Sequence, residues 1–296
     1  MAFPPVEEIR RTAAEGWIWG YALLENYRAL YRQVVEGAGF GVFQHETAPS
    51  GPGGPPSAWA WLDLRTEPWV LSVPETGRPY VLAAQDLDTS YIGFVGSRST
   101  GGAAGNHLLV GPGRQERIPD GVTDVIRADT TLVGMTGRTA PVEAGSEAEF
   151  AAFRRGFRLR PLSDYLGRST PEPAPEPAWP VWREEVLDTV EFFTVLDFLL
   201  GFCPVLPLEA VLRERLAALG VGTGTAEFEP GDLPADADMA IEHGIADARE
   251  RLAAAKVSSG PEAVLFGTRA ELAGDHLSRA LGASLGLHTL PAYAWF

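Results

Sequence analysis

The stretch GSRSTGGAAGNHLLVGPG, Gly96–Gly113, carries six glycines in eighteen residues. Two local structures fit such a run: a phosphate-cradling loop entering a helix, or a connection between two strands. The flanks decide. YIGFVGSR (91–98) leads into the glycines and NHLLVGP (106–112) follows them, and both read as strands. A nucleotide loop runs from a strand into a helix N-terminus, and neither G-x-x-x-x-G-K-[ST] nor G-x-G-x-x-G is present. The run therefore predicts a wide hairpin connection whose glycines leave backbone N–H groups open to a ligand.

Outward from this point the strand pattern continues. AWAWLDL, WVLSV, PYVLAAQDL, DVIRA and TLVGMTGR lie between residues 58 and 138, each bounded by Gly, Pro, Asp or Glu. Their spacing of about ten residues predicts an antiparallel sandwich. Residues 6–36 read as a helix, with Ile9, Ala13, Trp17, Gly20, Leu24, Tyr27 and Tyr31 at three- and four-residue intervals, ended by Gly37 and Gly39. QHETAPSGPGGPPS, 44–57, reads as a loop. A helix is expected at 146–159, opened by a Ser146–Glu149 capping box. STPEPAPEPAWP, 169–180, is a Pro-rich linker, and helices follow at 181–201, 207–219, 235–256 and 268–285, the last with a Thr268–Glu271 box. The expected domains are 1–168, an N-terminal helix and sandwich, and 181–296, a small all-α domain. The fold class is α+β, multidomain.

The bulk composition narrows the partners. A chain of 296 residues with 45% hydrophobic residues can bury a core. Its net charge of -15, with no basic cluster offsetting it, argues against nucleic acid. Lys256 is the only lysine, which leaves one candidate for Schiff-base chemistry. Cys203 is the only cysteine and sits among apolar residues, so no internal disulfide or cysteine zinc site is expected. His243 and Asp247 stand four apart on a helix without a third ligand at suitable spacing, so no metal is expected. MAFPPVEEIRR has no signal-peptide pattern and no segment is apolar enough to span a membrane, which predicts a cytoplasmic protein.

Several polar residues on the strands are candidates for chemistry. Alternation puts Trp59, Trp61 and Asp63 on one strand face, opposite Ala60, Leu62 and Leu64. That face reads either as a ligand wall or as packing with Asp63 paired to Arg65 or Arg78. Asp86 shares a face with Leu82 and Ala84, where an acid needs a partner or a raised pKa; this makes it the first candidate for a general acid/base. Asp88 and Thr89 read as a turn. Arg98 ends the next strand and could orient a substrate carbonyl or pair with Asp86 or Asp88. His107 follows the glycine run and reads as catalytic or structural. The catalytic set is Asp86, Arg98, Asp63 and His107. The substrate-contacting set is Trp59, Trp61, Tyr91, Arg138, Trp17 and Tyr21.

EGWIWGYALLENYRALYR (15–32) and AWLDLRTEPWVLSVPETGRPYVLAAQDLDTSYIGFVGSRSTGGAAGNHLLVGPG (60–113) resemble the bacterial family called domain of unknown function 1254. GRTAPVE, RLRPLSDYLG, FFTVLDFLL, LRERLAALGV and FGTRAELAGDHLSRALGASLGLHTLP also resemble it. The resemblance implies an immunoglobulin-like β-sandwich, then a small helical domain, then usually a C-terminal jelly roll. This chain reaches PAYAWF about where the jelly roll would begin, and it reads GPGGPPSAW where relatives carry an Asn-Asp-Thr-Tyr-like segment. The expected function is a cofactor-free enzyme of small-molecule, secondary metabolism. It would perform acid/base cyclisation, isomerisation or hydrolysis of an apolar or aromatic substrate, which eight tryptophans suit. A non-catalytic binding protein and a homodimerising interaction module are the alternatives.

Overall fold

The computed structural model describes residues 4–45, 57–115, 117–140, 147–222, 228–260, 263–272 and 274–286. The Ser146 cap and the tail 288–296 lie outside the described residues. The chain is α+β, and its described residues form two compact units, one from within 32–86 and 91–177, the other from within 4–31, 87–90 and 178–286.

The first unit is a sandwich. Its strands are β1 (Gln44–His45), β2 (Ser57–Asp63), β3 (Trp69–Val73), β4 (Tyr80–Asp86), β5 (Tyr91–Gly96), β6 (Gly105–Val110), β7 (Asp124–Arg127), β8 (Leu132–Thr139) and β9 (Arg158–Pro161). One sheet has the order β1-β2-β8-β4-β5 and the other β7-β6-β3-β9. Alternation decides which side chains face inward. Ala60, Leu62, Leu82, Ala84, Val133 and Met135 of the first sheet share one core with Leu71, Val73, Leu109 and Ile126 of the second.

The seven expected strands are found at their positions, with two corrections to their pairing; β1 occupies the first two residues of the expected loop 44–57, of which 46–56 lie outside the described residues. Pairing is antiparallel except between β6 and β7, which run parallel. The glycine run is also not a hairpin: β5 pairs with β4 in the first sheet, and β6 pairs with β3 in the second. The run carries the chain from one sheet to the other, with Gly101 at φ 80° and the Gly102 carbonyl accepting from Thr76 N at 2.8 Å. A strand follows it, as expected, and no helix.

Helix α2 (Glu147–Gly156) ends before the predicted residue 159, and β9 takes over. Tyr80, Phe153 and Phe157 cluster, with ring centroids 4.9–6.1 Å apart. The short helix α3 (Leu162–Tyr165) follows β9.

The second unit is helical. Its α1 (Val6–Leu30) is buried on nearly every side, as expected of a helix carrying apolar residues all round. It packs against α4 (Glu191–Leu200), α5 (Ala210–Ala217), α6 (Ala235–Ser258) and α8 (His276–Leu285). Gly244 lets α6 approach closely: a Cβ there would stand 2.5 Å from the Arg10 carbonyl oxygen and 2.7 Å from Ala13 Cβ.

Two predicted helices are broken. Residues 184–188 form a 3-10 turn before α4, and Gly274, at φ 82°, separates α7 (Arg269–Leu272) from α8. The Thr268–Glu271 box forms, with Thr268 N donating to Glu271 Oε2 at 2.7 Å. Among the described residues no helix is long and apolar enough to cross a membrane.

Residues 87–90 belong to this helical unit. There Asp88, 4% exposed, accepts from Arg279 Nη1 at 2.7 Å, from Arg269 Nη1 and from Ser90 N at 3.1 Å. Asp88 and Thr89 thus form the expected turn, with Thr89 at φ 70°.

Candidate functional site

Strand pairing assigns each predicted residue to a face. Trp59, Trp61 and Asp63 lie opposite Thr136, Gly134 and Leu132, on the face of the first sheet turned away from the core. Arg138 shares that face through its pairing with Val81. Trp61 Nε1 donates to Gln33 Oε1 at 2.7 Å. Asp63 is engaged by Arg65, whose Nη2 donates at 2.6 Å and whose Nε donates at 3.0 Å. Tyr91 begins β5, buried, with its ring 5.2 Å from Phe94.

Asp86 points the other way, into the core, as its alternation with Leu82 and Ala84 predicts. It is 0% exposed, and its Oδ1 accepts from Asp129 N at 3.0 Å, Thr130 N at 3.1 Å and Thr130 Oγ1 at 3.0 Å. These donors hold the turn that leads into β8. His107 lies on the inward face of the second sheet beside Leu71 and Leu109, and its buried Nδ1 has no hydrogen-bond partner. Burial lowers its pKa, opposed by Asp124, so the ring is neutral.

Arg98 is exposed in the connection after β5. Asp86 and His107 thus face the interior from different sheets, Asp63 faces outward and Arg98 is exposed, so the four catalytic candidates do not share one face. Trp17 and Tyr21 are in the helical unit, where Trp17 Nε1 donates to the Leu187 carbonyl at 3.0 Å and Tyr21 donates to Glu25 Oε1 at 2.9 Å.

A different set of residues converges within the sandwich unit. A crevice lies between the inner face of β4 and β8 and one side of α2. Phe150, Phe153 and Phe157, at three- and four-residue spacing, supply its aromatic wall; Leu82, Ala58 and Gly137 supply its floor. Tyr80 and Thr139 are direct cross-strand partners in it, and both hydroxyl oxygens are buried without a hydrogen-bond partner. Burial raises the Tyr80 pKa, so the phenol stays protonated.

His45 stands at the crevice; burial, helped by the Arg154 guanidinium, holds its pKa down to about 4, so it is uncharged at neutral pH. Arg138 borders the crevice between Gly137 and Thr139 although alternation assigns its side chain to the other face. The crevice has a cavity volume of about 30 Å³, which admits the end of a ligand rather than a whole one.

Most of the crevice's lining comes from β2, β4, β8, α2 and the residue after it, a run that decides the chain's relationship to known proteins. Residues 55–161 match the family described as Protein of unknown function (DUF1254). The resemblance read from the sequence is thus shown over the DUF1254 segment, which runs through β9. Phe43 and His45 precede the segment; every other crevice residue falls inside it. The VPA0106 protein from Vibrio parahaemolyticus has a similar solved structure. It aligns over 97% of this chain and 69% of its own, with a TM-score of 0.80 and 24% identity. That likeness is one of fold. A protein from Burkholderia cenocepacia aligns over 58% of this chain and 49% of its own at 17% identity, with a TM-score of 0.30 that carries no argument. No curated protein matches the chain.

Proposed function

We propose that the sandwich unit binds a small, largely apolar molecule whose end enters the crevice and hydrogen-bonds to Tyr80 and Thr139. The observation that carries this is the pair of adjacent, buried, unpartnered hydroxyls. Leaving one such group unsatisfied costs about 1–3 kcal/mol, so two together in an aromatic-lined crevice call for a guest atom that can satisfy them. The test is calorimetric titration of 1-octanol into the wild type and the Tyr80→Phe/Thr139→Val double variant. Saturable binding is expected, weakened about five-fold or more in the variant, which keeps the shape and loses the hydroxyls. Equal affinity in both proteins would remove the site from consideration.

Turnover is the second reading: acid/base cyclisation, isomerisation or hydrolysis of the bound molecule. It is favoured by a protonated phenol and an uncharged imidazole lining one crevice. The low pKa of His45 makes it a weak base, so binding is the reading the geometry supports better. Chromatography of a co-purified ligand before and after incubation separates the two, since only turnover changes it.

A homodimer in the cytoplasm completes the proposal. Val205, Leu208 and Val211 expose 56%, 77% and 70% of their surfaces, which suits a self-contact. Light scattering that reports a monomer at micromolar concentration would count against it.

A further inference from the structure

We infer that the ligand of this site is an amphipathic anion, with an apolar tail in the crevice and a carboxylate- or phosphate-class head on the arginines of Arg154–Arg160. This rests on the binding reading above and adds the charge of the ligand. A groove of about 470 Å³ adjoins the crevice and shares Phe43, His45, Arg154 and Phe157 with it, so one ligand can reach both. The groove is large enough for a small ligand where the crevice is not.

Four arginines line the groove: Arg154, Arg155, Arg158 and Arg160. Among the described residues, none of the four forms an ion pair with a carboxylate. In a chain with 39 acidic and 24 basic residues, four unpaired arginines in the seven residues RRGFRLR are a local reversal of sign. The expectation that no basic cluster offsets the acidity is corrected here. The sequence total conceals a patch that the turn from α2 into β9 assembles.

The arginines are not equivalent. Arg154 stacks over the Phe150 ring at 5.1 Å, and Arg160 stacks over Tyr165 at 5.2 Å while donating to Ser72 Oγ at 3.4 Å. These two are held in place, and Arg160 Nε is buried with no acceptor. Arg155 and Arg158 are exposed. The helix C-terminus accounts for positive charge at Arg154 and Arg155, the last turn of α2. It does not account for Arg158 and Arg160 on β9. Guanidinium groups suit a carboxylate or phosphate because their forked donors match its paired oxygens. A neutral ligand would leave them unused, and a compact inorganic anion would leave the aromatic crevice unused.

The experiment titrates 1-octanol, octanoate, acetate and octyl phosphate into the full chain at low salt. Octanoate and octyl phosphate are expected to bind about ten-fold or more tighter than 1-octanol, and acetate much more weakly than either. Arg155→Ala/Arg158→Ala is expected to bring octanoate down to the affinity of 1-octanol. If 1-octanol binds and octanoate binds no tighter, the anionic head is wrong while the crevice reading stands. If no octyl compound binds, both are wrong. Acetate binding as tightly as octanoate would reduce the site to a surface ion patch and overturn the inference. So would sedimentation with phosphatidylglycerol vesicles by a protein that ignores monomeric octanoate, since the basic patch would then serve a membrane surface.

Discussion

Arg279 donates to Asp88 at 2.7 Å across 191 residues of sequence, and the two side chains are 4% and 6% exposed. Burial pushes the Asp88 carboxyl up, but Arg279, Arg269 and the Ser90 amide outweigh it and hold the pKa below the ordinary value.

Asp88→Asn leaves two guanidinium groups facing a neutral amide, and a loss of about 3–5 kcal/mol is expected in urea unfolding. Because the folded-state pKa is lowered, the ionised carboxyl stabilises fully above the unfolded value near 4. That contribution disappears as pH falls through the folded-state value. A wild-type melting temperature that stays flat down to pH 2 would contradict this.

A second pH window lies higher. Burial lowers the pKa of His45, His107 and His276, opposed at His107 by Asp124; Arg154 adds to the effect at His45. Protonation is easier in the unfolded chain, so stability is full above pH 6.5, the unfolded value, and declines toward pH 4, where His45 titrates in the folded state. His45→Asn is expected to shallow that decline between pH 6.5 and 4, read as melting temperature against pH. Superimposable curves would mean His45 takes no part.

Asp86→Ala removes the acceptor for two backbone amides and one hydroxyl, at an expected cost of about 2–3 kcal/mol. Asp86→Asn keeps one acceptor oxygen and should cost less. Urea midpoints unchanged in both variants would show that the turn into β8 does not need this anchor.

Asp86 also marks how far the sequence could be read. Its place on the inward face follows from alternation with Leu82 and Ala84, and an acid there was expected to need a partner. Its partners are the Thr130 hydroxyl and the main-chain N–H groups of residues 129 and 130, and such N–H groups are carried by every residue but proline, so no pattern reveals them. The strands themselves were legible because each is a short apolar run between breakers. Their pairing was not: a hairpin and a sheet-to-sheet crossing look alike at Gly96–Gly105, and long-range contacts decide between them. Tyr80 and Thr139 meet across 59 residues, so the crevice had no local signature. The arginine run RRGFRLR is a local feature that a net charge of -15 over the whole chain masks.

Gly244→Val is expected to destabilise by about 1–3 kcal/mol, because its side chain would meet backbone atoms of α1 that cannot swing aside. Calorimetric melting checks this. A melting temperature equal to the wild type would show that α1 and α6 can separate without loss.

The helical unit is drawn from three separate lengths of chain, while residues 91–177 supply most of the sandwich without interruption. On a ribosome the sandwich can close once Arg158–Pro161 has emerged to edge its second sheet, whereas α1 must wait for α4, α5, α6 and α8. During that interval the side chains that α1 buries stand without neighbours, so chaperone capture is expected to compete with completion of the chain.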